Sequence, residues 1–165
     1  MIAAAPGVTA GMELRARLAD LYAAYESTLN DGELERWPEL FAADCIYKVL
    51  PKENQDAGFP VAVMYCESRD MLADRIVAIR ETALYAPRIM RLMTSGICLR
   101  SVADDGMRLT ASFAMFQTMH DQPSEVFLCG SYQDRVIDDA GMLRFAERLC
   151  IYDSTIVPVS LVYPV

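Results

Sequence analysis

Histidine is almost missing from this 165-residue sequence: His120 is its one imidazole. A Rieske cluster takes two His and two Cys as ligands. A mononuclear non-haem iron site of the facial-triad type takes two His and a carboxylate. The chain can build neither from its own residues, and the H-E-x-x-H pattern of zinc hydrolases fails on the same count. Lysine is nearly as scarce, with Lys48 and Lys52 set against a net charge of −8. Neutralising nucleic-acid phosphates takes clustered cations, so a nucleic-acid role is excluded, and an anionic membrane surface is disfavoured by the same sign. No apolar run approaches bilayer length. The opening Met1–Val8 is apolar but short and has no Lys or Arg before it, so it does not read as a secretory signal.

Cysteine is present in an unhelpful pattern. Cys45, Cys66, Cys98, Cys129 and Cys150 are odd in number and far apart, without a C-x-x-C. That pattern indicates neither a disulfide framework nor a zinc knuckle. They read as thiols packed like small hydrophobes in a reducing cytosol. No G-x-S-x-G elbow, G-x-x-x-x-G-K-[ST] loop or G-x-G-x-x-G turn occurs, which removes the common hydrolase, P-loop and dinucleotide signatures.

Apolar material, by contrast, is plentiful. Hydrophobic residues make up 53% of the chain, enough for one core, with a surplus suited to an oligomer interface. Without a linker or repeat, residues 1–165 are expected to form a single domain, with 1–9 flexible. Leu14, Leu18, Leu21, Tyr22, Tyr25 and Leu29 recur at three- and four-residue steps and predict a first helix, stopped by Asn30-Asp31-Gly32. Glu33 to Ala43 reads as a second helical segment in two pieces because of Pro38. Its expected core contacts are Trp37, Leu40 and Phe41. Cys45–Leu50 and Pro60–Glu67 read as short strands around a loop at Lys52–Phe59. Ser68 caps a third helix carrying Leu72, Ile76, Ile79 and Ala83.

The period becomes two from Leu92. Met107, Leu109, Ala111, Phe113, Met115 and Met119 share one strand face and Arg108, Thr110, Ser112, Thr118 and His120 the other, a half-buried antiparallel pattern. Asp104-Asp105-Gly106 and Asp121-Gln122-Pro123 read as the turns around it. Ser124–Ile137 and Leu143–Tyr152 are two further strands. The apolar tail Ile156–Val165 is expected to dock. Helices first and a run of long strands after them give an α+β class, a helix layer on one curved sheet.

Few side chains carry a chemical signal. His120 reads as an exposed turn histidine rather than a base, since nothing near it in sequence supplies burial or a partner. Glu147 lies in phase with Leu143, Phe145, Leu149 and Ile151, so it could be a buried base with a raised pKa. Pairing with an arginine such as Arg135 or Arg148 is the preferred reading. The methionine stripe from Met107 to Met119 reads as core. Arg75, Arg80, Arg88 and Arg91 suit an anion site or an interface, where the planar guanidinium makes two hydrogen bonds at once.

Several segments in series resemble the small (β) subunits of bacterial aromatic-ring-hydroxylating oxygenases. They are Tyr25-Glu-Ser-Thr-Leu-Asn-Asp-Gly32 leading to Trp37-Pro-Glu-Leu-Phe-Ala-Ala-Asp-Cys-Ile-Tyr47, then Ser68-Arg-Asp-Met-Leu-Ala-Asp-Arg75 with Pro87-Arg-Ile-Met-Arg91. Gly130-Ser-Tyr-Gln-Asp-Arg135 and Glu147-Arg-Leu-Cys-Ile-Tyr-Asp-Ser154 complete the series. The resemblance implies a nuclear-transport-factor-like (cystatin-like) cone, a curved antiparallel sheet with about three helices. It implies a cytoplasmic, non-catalytic scaffold with no cofactor of its own, three copies joined to three large (α) subunits. Those would carry the Rieske [2Fe–2S] cluster, the mononuclear iron and the substrate pocket for aromatic catabolism. The Asp70-Met-Leu-x-Asp74-Arg and Tyr152-Asp-Ser stretches look most like the salicylate and terephthalate hydroxylase branch. Where many members have Arg-His, this chain has Arg91-Leu92, so a subunit contact there would differ. Subunit-interface candidates are Arg75, Arg88, Arg91, Tyr132, Asp134, Arg148 and Tyr152, and no catalytic or metal residue is expected. Two other readings stay open. One is a stand-alone cone-fold isomerase or dehydratase using Glu147, Tyr47, Tyr132 or Asp134 in an apolar cavity. The other is a small-molecule binding module.

Overall fold

The first helix forms where the apolar stripe predicts it. In the computed structural model, which describes residues 6–82, 86–156 and 161–165, α1 runs Pro6–Asn30. Leu18, Leu21, Tyr22 and Tyr25 of its stripe are buried. Of the start expected to be flexible, residues 6–9 are helical, and 1–5 lie outside the described residues. A 3₁₀ segment, Leu34–Leu40, follows. It replaces the predicted two-piece helix because Pro38 has no N–H for an α-helical ladder, and the chain turns extended at Phe41.

β1 (Phe41–Pro51) is longer than expected. The predicted loop after it contains a short helix, α2 (Lys52–Ala57), which buries nothing and ends at Gly58 with φ +69°. Being polar all round, it leaves no apolar period to read. Only Met64–Cys66 (β2) pairs from the predicted second strand. α3 (Arg69–Glu81) starts as its sequence predicts. The Met71 N–H donates to the Ser68 hydroxyl oxygen, and Leu72, Ile76 and Ile79 are buried. Ala83 lies outside the described residues.

Four long strands follow: β3 (Arg88–Ala103), β4 (Gly106–Met119), β5 (Glu125–Asp139) and β6 (Met142–Tyr152). They pair antiparallel in sequence order. The six strands form one sheet, β2-β1-β6-β5-β4-β3. It is not antiparallel throughout, because β1 runs parallel to β6.

α1 and α3 close the concave face. β3 is a terminal strand, so alternate backbone groups have no strand partner, a liability in a long edge. α1 removes part of it. The Asn30 side chain accepts from the Leu92 N–H and donates to its carbonyl, at 2.7 and 2.9 Å, and Glu26 accepts from the Thr94 N–H.

Candidate functional site

The pairing registers place one row of side chains across the concave face: Leu109 on β4, Asp134 on β5, Arg148 on β6, Tyr47 on β1 and Cys66 on β2. All five are buried, Arg148 completely. The guanidinium meets Asp134 in two parallel bonds, Nε to Oδ1 and Nη2 to Oδ2, each 3.1 Å. The Tyr22 hydroxyl donates to Oδ2 as well. Aromatic rings line the guanidinium: its Cζ lies 3.9 Å from the ring centres of Tyr25 and Tyr132 and 4.1 Å from that of Phe145. A desolvated cation over aromatic faces gains quadrupole attraction on top of its ion pair. Burial alone would lower the Arg148 pKa, but Asp134 and the three tyrosines outweigh it and hold the group charged. Burial pushes the Asp134 carboxyl up, against the pull of Arg148 and Tyr22.

A second cluster sits beside this row, where residues 161–165 enter the interior. Arg75 on α3 donates to the carbonyls of Leu161 and Val162, at 3.2 and 3.1 Å. Val165 is completely buried. Its main-chain oxygen accepts from the Tyr25 hydroxyl at 2.5 Å, the Tyr47 hydroxyl at 3.2 Å and the Cys150 thiol at 3.3 Å. Its N–H donates back to the Tyr47 oxygen at 2.9 Å. Burial raises all three donors, the Cys150 thiol to about 12, so they stay protonated. Residues 161–165 therefore dock, as the apolar composition of the tail predicts, whereas Ile156 is 72% exposed and 157–160 lie outside the described residues.

The candidate residues separate into inside and outside. Tyr132, Asp134, Arg148 and Tyr152, read from sequence as interface candidates, are core residues with at most 4% exposure. That corrects the reading: they present nothing to a partner. Tyr132 and Asp134 alternate with Val136 on the inward face of β5, and for Arg148 and Tyr152 the cause is a bulge at Ala146. Arg135 pairs with Glu147 but Val136 with Phe145, so β6 holds one residue more than β5. An extra residue reverses which side chains face inward. Phe145 faces in before the bulge, and Arg148, Cys150 and Tyr152 after it. Glu147, expected in phase with the apolar face, points outward instead and lies 3.7 Å from Arg108, which replaces the anticipated partners Arg135 and Arg148.

Arg75 is committed to the tail. Arg88 is half-buried on Gln117, and Arg91 is exposed on β3. Ile89 and Met93, on the same outward parity as Arg91, and Val126 on β5 are each more than half exposed. Register links Arg91 to Phe116 and Phe116 to Val126, so these residues share an outer patch. His120 is 91% exposed beside Asp121, as its turn setting predicts.

The interior does not suit acid–base chemistry. Asp134 is the only carboxylate buried among the described residues, and both its oxygens are occupied. A cleft of about 280 Å³ between α1 and β3 is lined by Arg15, Leu18, Ala19, Ile97, Cys98, Leu99 and Leu109, with no acid. Among the described residues no three His, Cys, Asp or Glu side chains come together in a metal-binding group. With a single imidazole, the residues present do not fit a Rieske cluster or a facial-triad iron.

Comparison with known proteins agrees with the series of motifs. Residues 26–158 match the family model described as "Ring hydroxylating beta subunit". The chain is 36% identical over 141 residues to the anthranilate 1,2-dioxygenase small subunit of Burkholderia cepacia, covering 86% of this chain and 88% of that one. It is 33% identical over 150 residues to subunit beta 2 of the terminal oxygenase component of terephthalate 1,2-dioxygenase from a Comamonas species, covering 90% and 96%. Among solved structures, a Novosphingobium aromaticivorans chain assigned as the beta subunit of an aromatic-ring-hydroxylating dioxygenase superposes with a TM-score of 0.84. It is 37% identical and covers 93% of this chain and 97% of its own. The fold is the nuclear-transport-factor-like cone.

Proposed function

This chain belongs to the ring-hydroxylating β-subunit family and is a small subunit of an aromatic-ring-hydroxylating oxygenase, and from that premise we propose that it serves purely as a scaffold. The observation that carries the proposal is the filled interior. Where a cone-fold enzyme needs an open cavity and a free acid, this chain has Asp134 locked by Arg148 and Tyr22, and Val165 seated on Tyr25, Tyr47 and Cys150. The isomerase or dehydratase reading loses its base for the same reason.

In this reading the large oxygenase subunit brings the Rieske cluster, the mononuclear iron and the aromatic substrate site, and three copies of each chain assemble in the cytoplasm. The relatives act on anthranilate and terephthalate, as their names state, which supports an aromatic carboxylate as the substrate of the complex. Contact with other subunits falls to the outer patch. Ile89, Met93 and Val126 supply apolar area for sister copies, and Arg88 and Arg91 at its rim face acids of the large subunit. Arginine beside exposed apolar side chains is the composition that interfaces favour.

The test is co-expression with the large subunit that carries C-x-H and C-x-x-H cluster ligands. Native mass spectrometry should find equal numbers of the two chains, three of each, and Arg91→Glu or Met93→Asp should weaken the assembly. The chain expressed alone should be colourless. Stoichiometric iron on it, or hydroxylation by it unaided, would overturn the scaffold reading.

A further inference from the structure

α1 and β3 separate beyond the bonds that join them. The Asn30 and Glu26 side chains hold Leu92 and Thr94, and among the described residues no α1 bond reaches β3 past Thr94. The strand register explains the separation. Between Ser95 and Cys98, and again between Leu99 and Ser101, β3 has one residue more than β4 opposite it. The first of these bulges contains Gly96, whose φ of +64° is left-handed backbone that favours glycine. Bulges bend a strand and increase its twist, and here they turn β3 away from the helix. What opens is the cleft of about 280 Å³. Arg15, Leu18 and Ala19 line it from one face of α1, at three- and four-residue spacing. Ile97 and Leu99 line it from β3, and buried Leu109 of β4 forms its floor. Apart from Arg15 and Cys98, the lining residues are aliphatic. Arg15 is exposed and, among the described residues, makes no hydrogen bond or ion pair, whereas Arg17 on the same helix pairs with Asp138.

We infer that this cleft binds a small aliphatic carboxylate, with its chain between Leu18, Ile97, Leu99 and Leu109 and its carboxylate on Arg15. The volume sets the size, since it lies at the lower end of ligand sites and admits a medium-length chain rather than a lipid or a folded partner. The walls set the body. Branched aliphatic side chains offer apolar area and dispersion but no aromatic face for a ring to stack on, so each methylene taken out of water adds to affinity. Charge sets the head group. One guanidinium stands at the cleft without a partner and no acid lines it, and its planar fork matches the two oxygens of a carboxylate. A phosphate would bring a second negative charge with no cation to balance it. The cleft takes no residue from the cluster around Val165. This site goes beyond the scaffold role and does not depend on it.

The test is calorimetry on the full-length chain with octanoate, hexanoate and octanamide as probes. Octanoate should bind saturably, and hexanoate, two methylenes shorter, about tenfold more weakly. Octanamide on the native chain, and octanoate on Arg15→Gln, should each bind about fivefold more weakly, the effect of a charge pair that solvent partly screens. Ala19→Leu fills the cleft from an exposed helix position that accepts leucine and should abolish octanoate binding while circular dichroism stays native. Methyl NMR places the probe: octanoate should shift the signals of Leu18, Ile97 and Leu109 and leave those of Val165 unmoved. No saturable octanoate binding, octanamide as tight as octanoate, a folded Ala19→Leu chain that binds like the native one, or shifts confined to Val165 would each overturn the inference. Should Ala19→Leu fail to fold, the hexanoate, octanamide and Arg15→Gln comparisons decide.

Discussion

Removing Arg148 should do more damage than any exposed charge in the molecule, and removing its partner at the same time should undo most of it. Arg148→Met keeps the length and apolar stem but deletes the charge. Asp134, 4% exposed, would lose two of the three bonds its oxygens accept. Breaking a buried pair on one side costs about 3–5 kcal/mol. Losing the contacts with Tyr25, Tyr132 and Phe145 adds to this, though not additively, since the same side chain makes them all. A loss of about 4 kcal/mol corresponds to a fall in Tm of roughly 8–16 °C for a chain of this size. In the double variant Arg148→Met/Asp134→Leu neither charge remains, and apolar replacement of a buried pair is often neutral. Only the Tyr22 hydroxyl stays orphaned, at about 1–2 kcal/mol. Urea unfolding at fixed protomer concentration measures the cycle, because subunit association would otherwise shift the midpoint. A single variant within about 1 kcal/mol of native, or a double variant as unstable as the two singles summed, would refute this account of the interior. Full hydroxylase activity in a complex assembled with the double variant is the matching functional expectation.

Gly130→Ala should prevent folding or cost more than about 3 kcal/mol, well above ordinary overpacking, because its Cβ would stand 2.0 Å from the Ile151 carbonyl oxygen and 2.8 Å from the Tyr152 Cα. Circular dichroism of the expressed variant decides it. Among the thiols, Cys129 is exposed and Cys98 half-exposed, while Cys45, Cys66 and Cys150 are buried, so a disulfide reagent at neutral pH should label Cys129 first and the buried three only on unfolding. Burial raises Cys150 from 9.0 to about 12 and Cys45 to about 11. A raised pKa means the folded state favours the neutral thiol. That stability is complete below pH 9 and is lost as pH climbs from there towards 12, which an alkaline series of urea midpoints should follow. His120→Ala should leave both stability and the activity of the assembled complex unchanged, since the ring is 91% exposed with only Asp121 beside it.

The amino-acid sequence alone determined the features that local physics controls. The three- and four-residue spacing from Leu14 to Leu29 places α1, and the cap at Ser68 starts α3. Alternation from Met107 to Met115 builds β4 with the expected face inward. A solitary histidine rules out a Rieske cluster or a facial-triad iron built from this chain alone, because each needs two imidazoles. Tertiary structure alone decided the interior. One extra residue at Ala146 shifts the pleat of β6, so Arg148 is in the core and Glu147 outside it, the opposite of what unbroken alternation gives. Periodicity cannot show a bulge, since it depends on how many residues the partner strand offers opposite. The partner of Asp134 and the convergence of Tyr25, Tyr47 and Cys150 on Val165 join residues up to 140 positions apart. Such contacts exist only once the sheet has closed over α1.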